Sequence, residues 1–343
     1  MSKSDILRSK APLRISFGGG GTDVDPYRST YGGCTLSTSI DKYAYVSCRP
    51  RKDNVIQARS LDFNIVAQYD TQQDFVMDGE LDLAKAVIAR LKQKRATRGF
   101  DLFMHTDAPP GSGLGSSSTM VVALVNVFKE YYRRPLTSYE IAAMAYEIER
   151  VSLGLKGGMQ DQYCATFGGF NFIEYLGDKV IVNPLRLAPA TLLELQYNLI
   201  LCYTGRTRQS AGIIDEQMAH VRSGDARAVD ATHELKSLCV EMKNALLQGD
   251  LSGFGALLHQ SWLAKKQIAS KITNARIDKM YKEARRLGAL GGKIVGAGGG
   301  GHLLLYAPFD RRHVINKKLA SMGGQPIDFR FDFEGAVTWR AQE

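Results

Sequence analysis

The sequence predicts an α+β fold in two domains. Two observations carry that expectation. Strand-like stretches are gathered in the first 200 residues and again near the end of the chain, while four helical patterns follow one another between residues 210 and 287. A glycine-rich loop, Pro109–Thr119, also runs directly into a mostly apolar helical stretch, Met120–Tyr132. At 343 residues the chain is long enough for two domains. The division is placed at 186/187, which gives an N-terminal domain of residues 1–186 and a C-terminal domain of residues 187–343.

Taken in order, Ala11–Phe17 is a short apolar strand carrying one cation, Arg14. Four glycines, Gly18–Gly21, follow it and lead to Asp23 and Asp25. Four consecutive glycines cost backbone entropy, so they mark a sharp bend or a close approach. Asp23 can accept hydrogen bonds from sugar hydroxyls; Asp25, before Pro26, reads better as an Asx cap. Thr35–Arg49 alternates as a strand and Asn54–Ala67 supplies a pair. Leu81–Lys92 is a helix, and Phe100–His105 is the strand that delivers the chain to the glycine loop. Thr137-Ser-Tyr-Glu140 is a capping box that opens a helix reaching about Val151. Glu149 lies at the edge of that helix's buried stripe, and periodicity alone favours the surface for it. Asp161 stands in a glycine-rich stretch, where it either caps a helix from Gln162 or handles the proton of an acceptor hydroxyl. Phe167–Tyr175 looks like a strand pair. Leu187–Leu195 crosses into the second domain, and Asn198–Tyr203 is a strand. Arg206 and Arg208 follow as a pair of cations, better read by themselves as a solvated pair. The helices are expected at about Ser210–Val221, Arg227–Leu247, Leu251–Ser270 and Ala275–Leu287. The segments Lys293–Ala307 and Pro326–Trp339 are strand-rich.

Composition narrows the function classes. Apolar residues make up 44% and charged residues 23%, as in ordinary globular proteins. The net charge is +9, but the basic residues are scattered in pairs and no nucleic-acid signature is present, so an enzyme that handles anions fits better. The 5 cysteines are widely spaced with no Cys-x-x-Cys, which reads as free buried thiols in a reducing compartment. The 6 histidines stand apart from them, which leaves no zinc pattern. Neither a leader nor an apolar run of spanning length is seen, so the expected location is the cytoplasm.

Pro109–Thr119 is the stretch that points to chemistry. Gly111, Gly113 and Gly115 let the backbone turn and present N–H groups, and Ser116, Ser117 and Ser118 follow at a helix start. Such an end carries unpaired donors and a partial positive charge, which suits phosphate. A plain cap needs one serine and one glycine, not three of each. The loop is not a Walker A sequence, since no Lys-Ser/Thr follows it. The only Gly-x-Gly-x-x-Gly in the chain, Gly296–Gly301, leads into apolar, strand-like His302–Tyr306 where a dinucleotide site needs a helix.

Three stretches together resemble the galactokinase–homoserine kinase–mevalonate kinase–phosphomevalonate kinase superfamily: Ala11–Gly18 with Thr22-Asp23, Pro110–Ser118, and Gly292–Gly301. They occur in that family's order and span nearly the whole chain. Within it, the Gly18–Tyr27, Gly157–Gln162 and Tyr203–Ser210 stretches are most similar to the bacterial heptose 7-phosphate kinases. The resemblance implies two α+β domains with ATP and an acceptor in the cleft between them. It implies phosphate contacts from Gly111, Ser112, Gly113, Leu114, Gly115, Ser116, Ser117 and Ser118, and a Mg²⁺ ion on Ser117 and Glu149. Asp161 matches the catalytic aspartate and Arg14 the cation beside it. Asp23, Gly20, Gly21, Gly299 and Gly300 match the acceptor site, with Arg206 and Arg208 as candidates for the acceptor's phosphate beside Arg28 and Lys156. Galactokinases place Glu-His where this chain has Gly20 and Gly21, which removes a carboxylate and leaves room for a longer, phosphorylated sugar. The implied partners are ATP and a small sugar phosphate, with no nucleic acid, no membrane, and a homodimer as the candidate assembly.

Overall fold

The computed structural model describes residues 5–92, 98–205 and 211–342. The N-terminal half of the chain runs β1 (Asp5–Gly18), α1 (Tyr27–Tyr31), β2 (Gly33–Pro50), β3 (Val55–Ser60), β4 (Ile65–Asp70), α2 (Asp82–Leu91), β5 (Phe100–Thr106), α3 (Ser116–Tyr131) and α4 (Ser138–Tyr146). A π-helical turn, Glu147–Ser152, continues α4. Then come α5 (Gln160–Phe167), β6 (Phe170–Leu176) and β7 (Lys179–Pro184). The C-terminal half runs α6 (Pro189–Asn198), β8 (Leu199–Tyr203), α7 (Ala211–Ser223), α8 (Ala226–Gln248), α9 (Leu251–Lys265), α10 (Ala275–Arg286), β9 (Gly291–Ile294), β10 (His302–Tyr306) and α11 (Phe309–Ser321). It closes with β11 (Gln325–Ile327), β12 (Phe331–Asp332) and β13 (Val337–Gln342).

Two sheets organise these elements. The larger has the order β13-β1-β2-β5-β3-β4, with β6 and β12 also on β2 and β7 on β6. Its pairings are antiparallel except β3 with β5. The smaller is β11-β8-β10-β9, antiparallel throughout. The α+β expectation therefore holds. The last strand returns to the first sheet, with Asp5 opposite Gln342, so the tail crosses the division placed at 186/187.

Alternation explains how the sheets share cores. On β8, Leu199 and Leu201 enter the cluster that holds Leu13, Ile15, Phe17 and Leu114. Ile200 and Cys202 enter a second cluster with Trp262, Met280 and Leu319. Leu304 and its neighbours Leu303 and Leu305 divide in the same way on β10, as a period of 2 requires. The first cluster thus joins the larger sheet to the smaller one. Helix α3 is apolar nearly all round, and Val121–Val125, Val127 and Phe128 are fully buried, so it runs through the core and not along its surface. All five cysteines are buried and free.

Two local readings need correction. Phe167–Tyr175 contains one strand, not a pair, because α5 runs through Phe167 and the partner strand β7 lies beyond it. Helix α11 stands between the strand-rich segments, where the sequence pattern does not announce it; its apolar contribution to the core is only Ile315 and Leu319, too sparse to read. The capping box at Thr137 is present: its hydroxyl accepts from Glu140 N, while Glu140 accepts from Thr137 N at 2.8 Å. Among the described residues no helix is long and apolar enough to cross a membrane.

Candidate active site

The strand β1 delivers Arg14 to a cleft. Leu13 and Ile15 on either side of it lie in the core, so the pleat turns Arg14 toward the cleft it lines. Its Nε donates to Asp161 Oδ1 at 2.8 Å and its Nη2 lies 2.7 Å from the same oxygen. Its Nη1 donates to the Gly113 carbonyl at 2.5 Å, while its backbone N–H donates to the Leu114 carbonyl. One guanidinium thus ties the acid to the glycine loop. Asp161 sits in the first turn of α5, whose cap position is Met159, so the capping role fails. A Cβ built on Gly115 would stand 3.2 Å from Asp161 Oδ2, which places the carboxylate's second oxygen against the start of α3.

Gly111, Gly113 and Gly115 all have φ near +80°, the left-handed region that favours glycine. Gly113 also needs closeness, since a Cβ there would meet the Val295 carbonyl at 2.4 Å. Gly111, Gly113, Gly115, Ser116, Ser117 and Ser118 line the cleft. Ser112 and Leu114 do not. Both are fully buried, and the Ser112 N–H is already bonded to the Pro109 carbonyl, so these two shape the loop from behind.

The π-helical turn carries Glu149. The carboxylate is buried: Oε1 accepts from the Ser117 hydroxyl at 2.7 Å, and Oε2 accepts from Gln162 Nε2 at 2.8 Å. Arg150 Nη1 lies 3.4 Å from Oε1, while Arg150 Nη2 donates to the Ser118 hydroxyl at 3.0 Å. The surface position expected from periodicity is therefore wrong: Ala145, Ile148 and Glu149 are all inside. Widened turns of this kind recur at functional sites.

Asp23 also lines the cleft; it is buried and accepts from the N–H groups of Gly21 and Gln160, both at 3.1 Å. Burial raises its pKa above the ordinary carboxylate value, against the pull of those two bonds. The bare backbone of Gly158 leaves room for this carboxylate: a Cβ there would lie 1.9 Å from Asp23 Oδ2 and displace it. Gly20 and Gly21 line the same cleft, which measures about 500 Å³. An apolar pocket of about 390 Å³ adjoins it at Ser116 and Ser117, lined by Phe63, Ile65, Leu81, Met104, Met120 and Leu124 among others.

The arrangement gives a glycine loop that opens a helix, an acid locked to a cation beside it, and two further acids, Asp23 and Glu149, lining the same cleft. Residues 82–169 match the GHMP kinases N terminal domain and residues 242–322 the GHMP kinases C terminal domain. The chain is 38% identical to the D-glycero-alpha-D-manno-heptose 7-phosphate kinase of Campylobacter jejuni, over 97% of this chain and 99% of that one. This chain belongs to the GHMP kinase family. Its reaction class is ATP-dependent phosphoryl transfer to a small molecule, and GHMP here abbreviates the four kinases whose resemblance the sequence motifs carry. A D-glycero-D-manno-heptose 1-phosphate kinase from Bacteroides thetaiotaomicron superposes with a TM-score of 0.83 at 34% identity, covering 98% of this chain and all of that one. Lactococcus lactis galactokinase, at 20% identity and a TM-score of 0.79 over 97% and 95% of the two chains, shares the fold.

In this GHMP kinase not every expected residue reaches the cleft. Gly299 and Gly300 are buried and do not line it: Gly299 N–H bonds the Ile272 carbonyl and its own carbonyl accepts from Asn274. Gly296 and Ala297, earlier in the same run, line the cleft instead. Arg28 is held by Asp25 on two oxygens and by the Gly177 carbonyl. Asp25 Oδ1 also accepts from Ser29 N, but the cap position of α1 is Pro26, so Asp25 acts from one residue before the cap. Lys156 lines the cleft. Arg206 and Arg208 lie outside the described residues. Sequence reasoning missed Gln162, Arg150, Gln217 and Lys265, all lining or bracing the cleft. Only Arg150 and Gln162 carried a signal, their nearness in sequence to Glu149 and Asp161.

Proposed function

We propose that this enzyme transfers the γ-phosphoryl group of ATP to the anomeric hydroxyl of D-glycero-D-manno-heptose 7-phosphate, giving heptose 1,7-bisphosphate for GDP-heptose synthesis. The single observation that carries the reaction is the Arg14–Asp161 pair, tied by one guanidinium to the carbonyl of Gly113 in the glycine loop. The name and near-full coverage of the Campylobacter relative support the acceptor. The glycine pair at 20–21, in place of bulkier side chains, supports a long phosphorylated sugar.

Phosphoryl transfer through a loose transition state depends on positioning and charge neutralisation. The N–H groups at the start of α3 face the triphosphate, and the adjoining apolar pocket takes the adenine ring. Asp161 Oδ1 is committed to Arg14, so Oδ2 receives the proton of the acceptor hydroxyl. The sugar's hydroxyl oxygen, freed of that proton, attacks the γ-phosphorus, the bond to the β–γ bridging oxygen breaks, and ADP leaves. Ser117 and Glu149 supply a hydroxyl and a carboxylate meeting at 2.7 Å. Magnesium takes such hard oxygen donors together with nucleotide phosphates, so both residues fit that ion, which neutralises phosphate charge when bound. Asp23 orients the sugar hydroxyls. The division into 1–186 and 187–343 is retained as the two walls of the cleft, with β12 and β13 belonging to the first wall's sheet.

An ADP-release assay with heptose 7-phosphate, heptose 1-phosphate, fucose, galactose and N-acetylhexosamines tests this reading. The 7-phosphate is expected to give the highest kcat/KM. A higher value for an unphosphorylated sugar overturns the acceptor, and the absence of turnover with any of them overturns the reaction.

A further inference from the structure

The transfer step as described leaves one buried cation in the cleft without a task. Lys265 is the last residue of α9 and is 3% exposed. Its side chain nevertheless forms part of the wall of the cleft that Arg14, Asp23, Asp161 and Gln217 also line. The ammonium donates to the Gly296 carbonyl, its one hydrogen-bond partner among the described residues. An ammonium carries three donors, so two N–H bonds have no acceptor among the described residues. Arg14, by contrast, has its guanidinium committed to Asp161 and to the Gly113 carbonyl.

The charges around Lys265 do not supply the missing partner. Arg14 and the buried Lys293, which donates to the Phe17 carbonyl, are cations; Asp23 is the carboxylate that acts on it. Asp23 has its own bonds to Gly21 and Gln160 and forms no ion pair with the lysine. Burial first, and Arg14 second, push the Lys265 pKa down to about 8, while Asp23 pulls the other way. A buried charge with unmade hydrogen bonds destabilises a fold, and an apolar side chain of similar length would fill the same space without that penalty. A group kept under those conditions in a cleft is completed by what the cleft binds.

We propose that Lys265 is an acceptor-binding residue: its ammonium, steadied by the Gly296 carbonyl, donates to an oxygen of the phosphorylated sugar that Asp23 and Asp161 contact. This rests on the function proposed above, and it places a positive group from the helical half of the molecule on the acceptor. The oxygen belongs either to the sugar's own phosphate or to a hydroxyl.

The test compares wild type with Lys265→Met in the full chain. Loss of a charged hydrogen bond raises KM for heptose 7-phosphate by about 20-fold, while KM for ATP stays within about twofold and the thermal midpoint stays level or rises. In wild type, kcat/KM for the acceptor falls as pH rises through about 8, because the ammonium loses its proton there; the variant lacks that fall. An unchanged acceptor KM, an ATP KM that moves in step, or a lowered thermal midpoint with both KM values intact overturns the proposal and leaves the lysine a helix-end brace. Repeating the ratio on the sugar without its phosphate assigns the contact. A penalty that vanishes names the phosphate and one that persists names a hydroxyl. Reductive methylation of wild type with formaldehyde and cyanoborohydride, read by peptide mass, gives a second measure. Lys265 is expected to be protected by the acceptor and not by an ATP analogue, and the reverse overturns the proposal. Wild-type turnover tests the function separately. If another sugar is preferred, the same ratios are read on that sugar; a chain that turns over none of them loses both conclusions.

Discussion

The two glycine runs of this kinase, 111–115 and 296–301, look alike in sequence and do different work. The first bends through left-handed positions and ends on a helix whose N-terminus faces the cleft. The second ends on β10, and its two end glycines, Gly296 and Gly301, are pressed against the first. A Cβ on Gly301 would lie 2.3 Å from the Ser112 carbonyl, and one on Gly296 would lie 2.8 Å from the Gly113 carbonyl. His302, next in line, bonds the Ser112 carbonyl at 2.8 Å through Nδ1. Missing side chains at Gly113, Gly296 and Gly301 let the two loops close on each other, while the space beside Gly115 is taken by the Asp161 carboxylate. Glycine content marks where a backbone comes close to something, and the element that follows tells what.

Four substitutions break or sharpen that contrast, beginning with the largest effect. Asp161→Asn removes the proton acceptor beside the first run. Turnover is expected to drop by about 1,000-fold, about 4 kcal/mol of barrier, with ATP-analogue binding retained. Turnover near wild type would take Asp161 out of the chemistry. Gly301→Ala tests the second run. Its φ of +82° and the carbonyl 2.3 Å from the new Cβ are expected to cost about 2–4 kcal/mol of stability, seen as a lower denaturant midpoint. A stable Gly301→Ala protein with a changed acceptor KM would reverse the division of labour. Glu149→Gln keeps the shape and removes the charge. Half-saturation by Mg²⁺ should rise by about tenfold, near 1.4 kcal/mol, and an unchanged magnesium titration would make the Ser117 contact purely structural. Gly20→Ala is the mildest: its nearest neighbours stand at 3.5 Å, so stability should change by less than about 1 kcal/mol while acceptor KM rises a few-fold. No change in that KM would mean the sugar does not use the space.

Much of the molecule is legible in its sequence, for local reasons. The strand at Ala11–Phe17, the loop at 111–118 and the capping box at Thr137 each announce themselves through spacing and turn chemistry. The rejection of a dinucleotide site follows from His302–Tyr306 reading as a strand, which it is. The site's polar bracing is not legible. Glu149 is buried because Ser117, Arg150 and Gln162 come from three other positions to meet it, and a π-turn alters the helical count there. Lys265 escapes notice because one lysine at a helix end looks like any surface cation until Gly296 and the cleft are placed around it. The cleft-facing positions Gly296 and Ala297 lie a few residues before Gly299 and Gly300 in a nearly uniform run, where no side chain distinguishes a ligand-facing position from its neighbours.

The pairing of β1 with β13 has a bearing on how the molecule is made. The strand that presents Arg14 emerges early from the ribosome, while its outer neighbour, residues 337–342, follows the whole smaller sheet and its helices. Until then that strand keeps an open hydrogen-bonding edge, the kind of edge that recruits stray strands from other chains. A nascent chain therefore spends most of translation with the first part of β1, Asp5–Lys10, unpaired along that edge, and chaperone capture should peak just before residues 337–342 appear.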